Sequence, residues 1–316
     1  MDQLRGLAII LVFLQHANAI AGLSGLEQWT ILAWFNSVFA PFRMPTLLFL
    51  SGLLLTPSLR KPFRAFAGGK LRKILWPLAV WSIPTIILLQ PSTLKGMVGP
   101  GHLWFLWVLF ACYAIGVLTK WIPALIVAIA LVTCALLVPF DTALLEHIPR
   151  ARMIAWYGGF FFLGAASLKA IPWWQKRGPW WVAALLGLVA LAWGLIPETK
   201  ANGSLTPLEF PMSLIGIAAI LWIAPRLPTA AALIRVGQDS IVWYVAQSPI
   251  MRVIAPLLPA ALPGWAAAVA LTASAGVACW ILVVLKRRRA ASILFEFPQL
   301  VGAQTFRRPL RALHRA

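Results

Sequence analysis

The sequence predicts an all-α, polytopic integral membrane protein with about ten transmembrane helices. Of its 316 residues, 61% are hydrophobic and 11% charged, whereas a soluble domain carries about a quarter charged residues. The apolar residues gather into runs that approach bilayer length. The basic residues, which set a net charge of +19, fall in short segments between those runs. That spacing is the positive-inside signature of a membrane protein, and no nucleic-acid partner is expected.

Spans are read at 6–22, 34–56, 74–90, 102–119, 122–140, 153–168, 180–197, 210–225, 240–258 and 264–285. Several are short for a hydrocarbon core of about 30 Å, which leaves room for local thinning or re-entrant pieces. If the chain starts in the cytoplasm, all but six of the 27 basic residues fall on the cytoplasmic side. The six are Lys95, Arg150, Arg152 and Lys200 in outer loops, and Arg43 and Arg252 within spans. Both termini are therefore expected inside. Residues 1–289 form the transmembrane domain and 290–316 a basic cytoplasmic tail.

The first span opens MDQLRGLAIILVFLQH. No small-residue cleavage site follows a basic leader, so it is expected to remain as a helix. Arg5 and His16 are eleven residues apart, nearly in phase on a helix and separated in depth by roughly 16 Å. One helix thus presents a cation at the surface and an imidazole near the midplane. An ionisable group at that depth is costly and marks a functional site, although a histidine bonded to a neighbouring helix would look the same.

In the second span, APFRMPTLLFLSGLLL, Arg43 stands between Pro41 and Pro45. Prolines free backbone carbonyls, so a broken helix lining a polar cavity is expected there. The next loop, RKPFRAFAGGKLRKILWP, brings six cations to the cytoplasmic surface. Topology and lipid contact account for most of them. A subset, Arg72 and Lys73, is a candidate for binding a phosphorylated cosubstrate. No Walker or Rossmann fingerprint is present.

His102 is placed at the outer boundary of the fourth span, GHLWFLWVLF, beside interfacial Trp104, Phe105 and Trp107. The segment KAIPWWQKRGPWW reads as an aromatic belt. In the ninth span, QDSIVWYVAQSPIMRVI, Gln247 lies near mid-depth between Tyr244 and Arg252, and Pro249 is expected to break the helix. His16, Arg43 and Gln247 thus share a predicted depth on three spans, as the walls of a buried polar site would. The basic, Pro-punctuated tail is expected to lie along the anionic inner leaflet, with membrane lipids as its partners. The three cysteines and four histidines match no disulfide framework or metal motif, so no metal is expected.

At these residues the chain resembles the acyltransferase-3 family of integral membrane acyltransferases. DQLRGLAIILVFLQH matches a D-x-L-R-G opening with a later histidine, and FRMPTLLFLSGLL an M-P-x-x-F-x-x-S-G-like signature. KLRKILWPLAVW, HLWFLWVLF, FFFLGA and DSIVWYVAQSPI follow in family order. The resemblance implies an acyl-CoA-dependent O-acyltransferase of the bacterial inner membrane. It would move an acyl group, usually acetyl, from cytoplasmic acyl-CoA (acetyl-CoA) to a hydroxyl of a carbohydrate, glycolipid or other envelope molecule, as in polysaccharide O-acetylation. It also implies that His16 is catalytic and carries the family's opening arginine onto Arg5, here a candidate for the donor site. One departure stands out: many members have Y-L-x-H-x-P where this chain has Tyr244-Val245-Ala246-Gln247-Ser248-Pro249. Glutamine orients a substrate but shuttles no proton, so any role for a second histidine at that position is lost. Arg43 also stands where the family often has histidine.

The residues fit that chemistry independently. A thioester is already activated, and the attacking alcohol must lose a proton, which a neutral buried imidazole can take. Arg43 or Arg252 would stabilise the developing oxyanion. Gln247, Tyr244, Arg252 and His102 are candidate substrate contacts. Direct transfer and an acyl-histidine intermediate both remain open. The alternative is a transporter or a lipid or glycan flippase. Against it, the sequence shows no internal repeat and no mid-span carboxylate.

Overall fold

The computed structural model describes residues 1–89, 99–138, 148, 150–196 and 206–298. Among the described residues the chain is predominantly helical, without strands. The principal helices are α1 (Asp2–Leu23), α2 (Thr30–Gly52), α3 (Leu55–Leu59), α4 (Phe63–Lys70), α5 (Trp76–Leu89) and α6 (Trp104–Leu118). They continue with α7 (Ala124–Leu137), α8 (Ala151–Ser167), α9 (Ala170–Arg177), α10 (Trp180–Leu195) and α11 (Glu209–Ile223). Last come α12 (Ala231–Gln238), α13 (Ser240–Ile254) and α14 (Gly264–Arg287).

Each of the ten apolar runs meets one of these helices, although not every one of those helices is of full bilayer length. Among the described residues, six segments are long and apolar enough to cross a membrane, or seven if α8 and α9, bent by 74°, form one broken span. Helices α7 and α10 are apolar but have 14 and 16 residues. At about 1.5 Å per residue they fall short of a hydrocarbon layer of about 30 Å. Large apolar side chains stand on the outside of the bundle, among them Ile83, Leu137, Leu188, Val269 and Trp280. Such a surface belongs against lipid, not water.

The prolines do not break their helices, contrary to the expectation from sequence. Helix α2 runs unbroken through Pro41 and Pro45, and α13 through Pro249. A helical proline orphans the carbonyl four residues earlier, and at Pro45 and Pro249 a side chain from another element meets the freed carbonyl. Pro45 frees the carbonyl of Pro41, and Ser213 Oγ donates to it at 2.6 Å. Pro249 frees the carbonyl of Val245, which His102 meets. A single turn of π-helix, Leu71–Leu75, joins α4 to α5 just ahead of Pro77, where the missing N–H and the ring's bulk favour a widened turn.

Close helix crossings rest on glycine. Gly52 lies against the carbonyl of Phe161, and Gly164 against the carbonyl of Phe49. Helices α2 and α8 therefore interlock reciprocally, with no room for a Cβ at either point. Gly6 and Gly237 clasp α1 to α12 in the same way. Asp239 then anchors the C-terminal end of α14, with Lys286 Nζ at 3.3 Å and Arg287 Nη2 at 2.6 Å.

The start of the tail also departs from the expected lipid-surface placement. Phe295 is fully buried. Trp76 Nε1 donates to the Ile293 carbonyl at 2.6 Å and Trp81 Nε1 to the Leu294 carbonyl at 3.0 Å. Indole N–H groups need acceptors when they are taken from water, and the returning chain provides them. Residues 299–316 lie outside the described set, as do Lys95, Asp141, Glu146, Glu198 and Lys200. In the aromatic segment, Trp173, Trp180 and Trp181 are exposed as a belt requires, whereas Trp174 donates to the Ala218 carbonyl of α11.

Because α2 separates Ser24 from Ser58, cysteines placed at these two positions should label from opposite sides of the membrane. Labelling of both from one side would overturn this topology.

Candidate functional site

Helix α1 places His16 among groups from three other elements. The imidazole of His102 stands against it edge to face, with ring centroids 5.8 Å apart. Arg43 and Arg252 lie close enough to act on His16 electrostatically. His16 is enclosed by the bundle yet keeps some accessible surface. Its Nδ1 is buried without a hydrogen-bond partner. Its Nε2, which also makes no hydrogen bond, is the ring nitrogen left open.

His102 is not at the outer boundary where the sequence placed it. It sits in a 3-10 turn, Gly101–Leu103, that dips into the protein beside mid-α13. Gly99 and Gly101 have φ of 59° and 52°, left-handed values that suit glycine and let the chain turn inward. His102 Nε2 lies 3.1 Å from the Val245 carbonyl. A carbonyl only accepts, so Nε2 carries the proton and Nδ1 of the neutral ring is an acceptor. Tyr244 donates its hydroxyl to the His102 backbone carbonyl, fixing the turn from the same helix. A second imidazole thus stands beside His16, brought there by an element other than α13.

The polar groups here are conspicuously unsatisfied. Among the described residues, buried side-chain atoms without partners include His16 Nδ1, Asn36 Oδ1, Arg43 Nη1, His102 Nδ1, Gln247 Oε1 and Arg252 Nε. Burying a polar atom without a partner costs about 1–3 kcal/mol. Their concentration on α1, α2, α13 and the turn before α6 marks a place built to receive a polar ligand. Gln247 is wholly buried one turn above Tyr244, and its Nε2 reaches the Tyr244 carbonyl only at 3.5 Å.

Two site residues escaped the sequence reading. Asn36 lies two turns before Arg43 on the same face of α2, and its Nδ2 meets the Leu14 carbonyl of α1 at 3.4 Å. Tyr157 of α8 is an electrostatic neighbour of Arg43. The chain has three tyrosines against 17 tryptophans and 17 phenylalanines, and that scarcity was the available signal.

The candidate donor residues sit toward the other end of α1. Arg5 contacts Asp2 at 3.5 Å and reaches the Leu50 carbonyl at 3.4 Å, near the C-terminus of α2. Tyr113, which donates to the Ser51 carbonyl at 3.3 Å, feels the charge of Arg5. Lys70 Nζ covers the Tyr113 ring at 3.3 Å and in turn neighbours Lys61 and Lys73. The result is a run of cations suited to a ligand with several phosphates. Arg72 is held by Glu296 at 3.1 Å, and Lys73 is exposed. No three His, Cys, Asp or Glu side chains gather into a metal site among the described residues.

A family model described as an acyltransferase domain matches residues 1–284. No curated protein and no solved structure matches the chain.

Proposed function

Because the chain belongs to the acyltransferase-3 family, we propose that it transfers an acyl group from cytoplasmic acyl-CoA to a hydroxyl of a carbohydrate, glycolipid or other envelope molecule. The observation that carries this proposal is the imidazole pair of His16 and His102, flanked by two arginines with unpartnered nitrogens.

In this scheme the open Nε2 of His16 takes the alcohol proton as the alcohol oxygen attacks the thioester carbonyl carbon. The new C–O bond forms and the C–S bond breaks. The proton then passes from His16 to the departing sulfur, giving an ester and free CoA. Arg43 and Arg252 neutralise charge on the carbonyl oxygen in surroundings where such contacts are strong. His102, locked as a donor to Val245, keeps a neutral, acceptor-bearing ring beside His16. Gln247 and Tyr244 hold the acceptor side, and Arg5 with the Lys70–Lys73 region holds the CoA phosphates.

CoA carries several phosphate charges, and arginine grips phosphate with a planar fork. Arg5→Ala should therefore raise the apparent KM for acetyl-CoA several-fold, measured as CoA thiol release at matched protein level. Arg5→Lys should rescue only part of the loss, keeping charge without the fork. An unchanged KM in Arg5→Ala would remove Arg5 from the donor site.

A further inference from the structure

Helices α1, α2, α10 and α11 enclose an apolar groove of about 500 Å³ that the mechanism leaves unused. That volume is typical of a small-molecule site. Leu7 and Leu11, Phe39, Gly187, Leu191 and Ile220 form its walls. Apart from the Trp180 and Trp222 rings, its only polar lining residues are Arg43 and Thr46. Arg43 therefore belongs to both places: it lines the groove and acts on His16.

We propose that this groove holds the hydrocarbon chain of the acyl group being transferred. The carbonyl end lies at Arg43 and His16, and the chain runs toward Trp180 and Trp222. The inference rests on the acyl-transfer function proposed above and extends it to acyl groups longer than acetyl.

Three observations favour that occupant over other apolar molecules. First, the groove faces Leu4, Leu7, Ala8 and Leu11, a stripe at helical spacing. Arg5 lies about 100° around the helix from Leu4, on the His16 side. The polar CoA arm and the hydrocarbon chain thus take different faces of α1 and meet at the site. Second, α10 and α2 pinch together at the end away from Trp180. A Cβ on Gly194 would lie 2.6 Å from the Val38 carbonyl, so α10 and α2 touch there. A lipid tail descending from the opposite leaflet would have to pass that contact. Third, a lipid of the leaflet on the Trp180 side would press its methyl end against Arg43, whose Nη1 is buried and unpartnered. An acyl group instead brings a carbonyl oxygen to that nitrogen. Wall residues from Trp180 to Leu191 span roughly 16 Å of helix, enough for about a dozen methylenes at carbon–carbon bonds of about 1.5 Å.

The test compares acetyl-CoA and octanoyl-CoA binding to the purified full-length protein, wild type and Gly187→Trp. A Cβ on Gly187 meets only the Ala219 methyl, at 3.8 Å, so a larger side chain fits there and fills the groove. Each buried methylene is worth roughly fourfold in affinity. Octanoyl-CoA should therefore bind the wild type at least tenfold more tightly than acetyl-CoA, and in Gly187→Trp that ratio should fall toward one. Ala184→Phe, on the same wall, repeats the test if Gly187→Trp misfolds. Equal affinities in the wild type, or a ratio unmoved by either variant, would overturn the proposal. So would a co-purifying phospholipid that is lost in Gly187→Trp while octanoyl-CoA binding persists, since the groove would then be a lipid site. If neither CoA ester binds the wild type, the donor assignment itself fails and takes this inference with it.

Discussion

Replacing His16 with glutamine should lower acyl transfer by about 10²–10⁴, the usual cost of losing a general base. The protein should still insert and fold. His16 makes no hydrogen bond, and its Nδ1 is buried without a partner, so little of the bundle depends on it. Glutamine keeps polarity and approximate size but takes up no proton at neutral pH. Transfer rate should be read against solubilised protein for His16→Gln and His16→Ala together. If His16→Gln keeps more than about a tenth of the wild-type rate, the base is elsewhere. His102→Gln should cost less than His16→Gln, because its ring is committed through Nε2 to the Val245 carbonyl and acts beside the base.

The largest effects on stability should come from the crossing of α2 and α8. At Gly52 and at Gly164 an added methyl would overlap a backbone carbonyl, that of Phe161 and that of Phe49 respectively. Backbone cannot rotate away as a side chain can, so the helices must separate. Overpacking of this kind costs about 1–3 kcal/mol or more. Gly52→Ala and Gly164→Ala should each lower the thermal unfolding midpoint in detergent clearly. Gly68→Ala and Gly276→Ala, where nothing lies within 4 Å, should hold or raise it, since alanine favours helix over glycine by about 1 kcal/mol. Equal midpoints in the two sets would mean that α2 and α8 do not interlock as described.

Much of this was legible in the sequence, for identifiable reasons. Long apolar runs declare helices directly, and all ten meet one. His16 and Arg43 declared themselves because a titratable side chain deep in an apolar run is costly without a purpose. What stayed hidden depends on contacts between distant elements. The depth of His102 follows from a glycine-rich turn folding inward onto Val245, which no local pattern shows. The unbroken helices at Pro45 and Pro249 depend on Ser213 and His102 arriving to satisfy orphaned carbonyls. The docking of the tail depends on two indole N–H groups more than 200 residues away in sequence. The number of full crossings also escaped, because hydropathy marks apolar helices such as α7 and α10 without fixing whether they span.

Acyl transfer from a CoA thioester leaves a labelled ester as its product. The most direct measurement supplies acetyl-CoA and octanoyl-CoA, each labelled in the acyl carbonyl, to membranes carrying the protein and to matched membranes lacking it. Label entering an alkali-labile ester is then counted. Ester-linked label should appear from at least one donor in the membranes that carry the protein, with only background in those that lack it. Background from both donors, with the protein present and folded, would contradict acyl transfer from a CoA thioester.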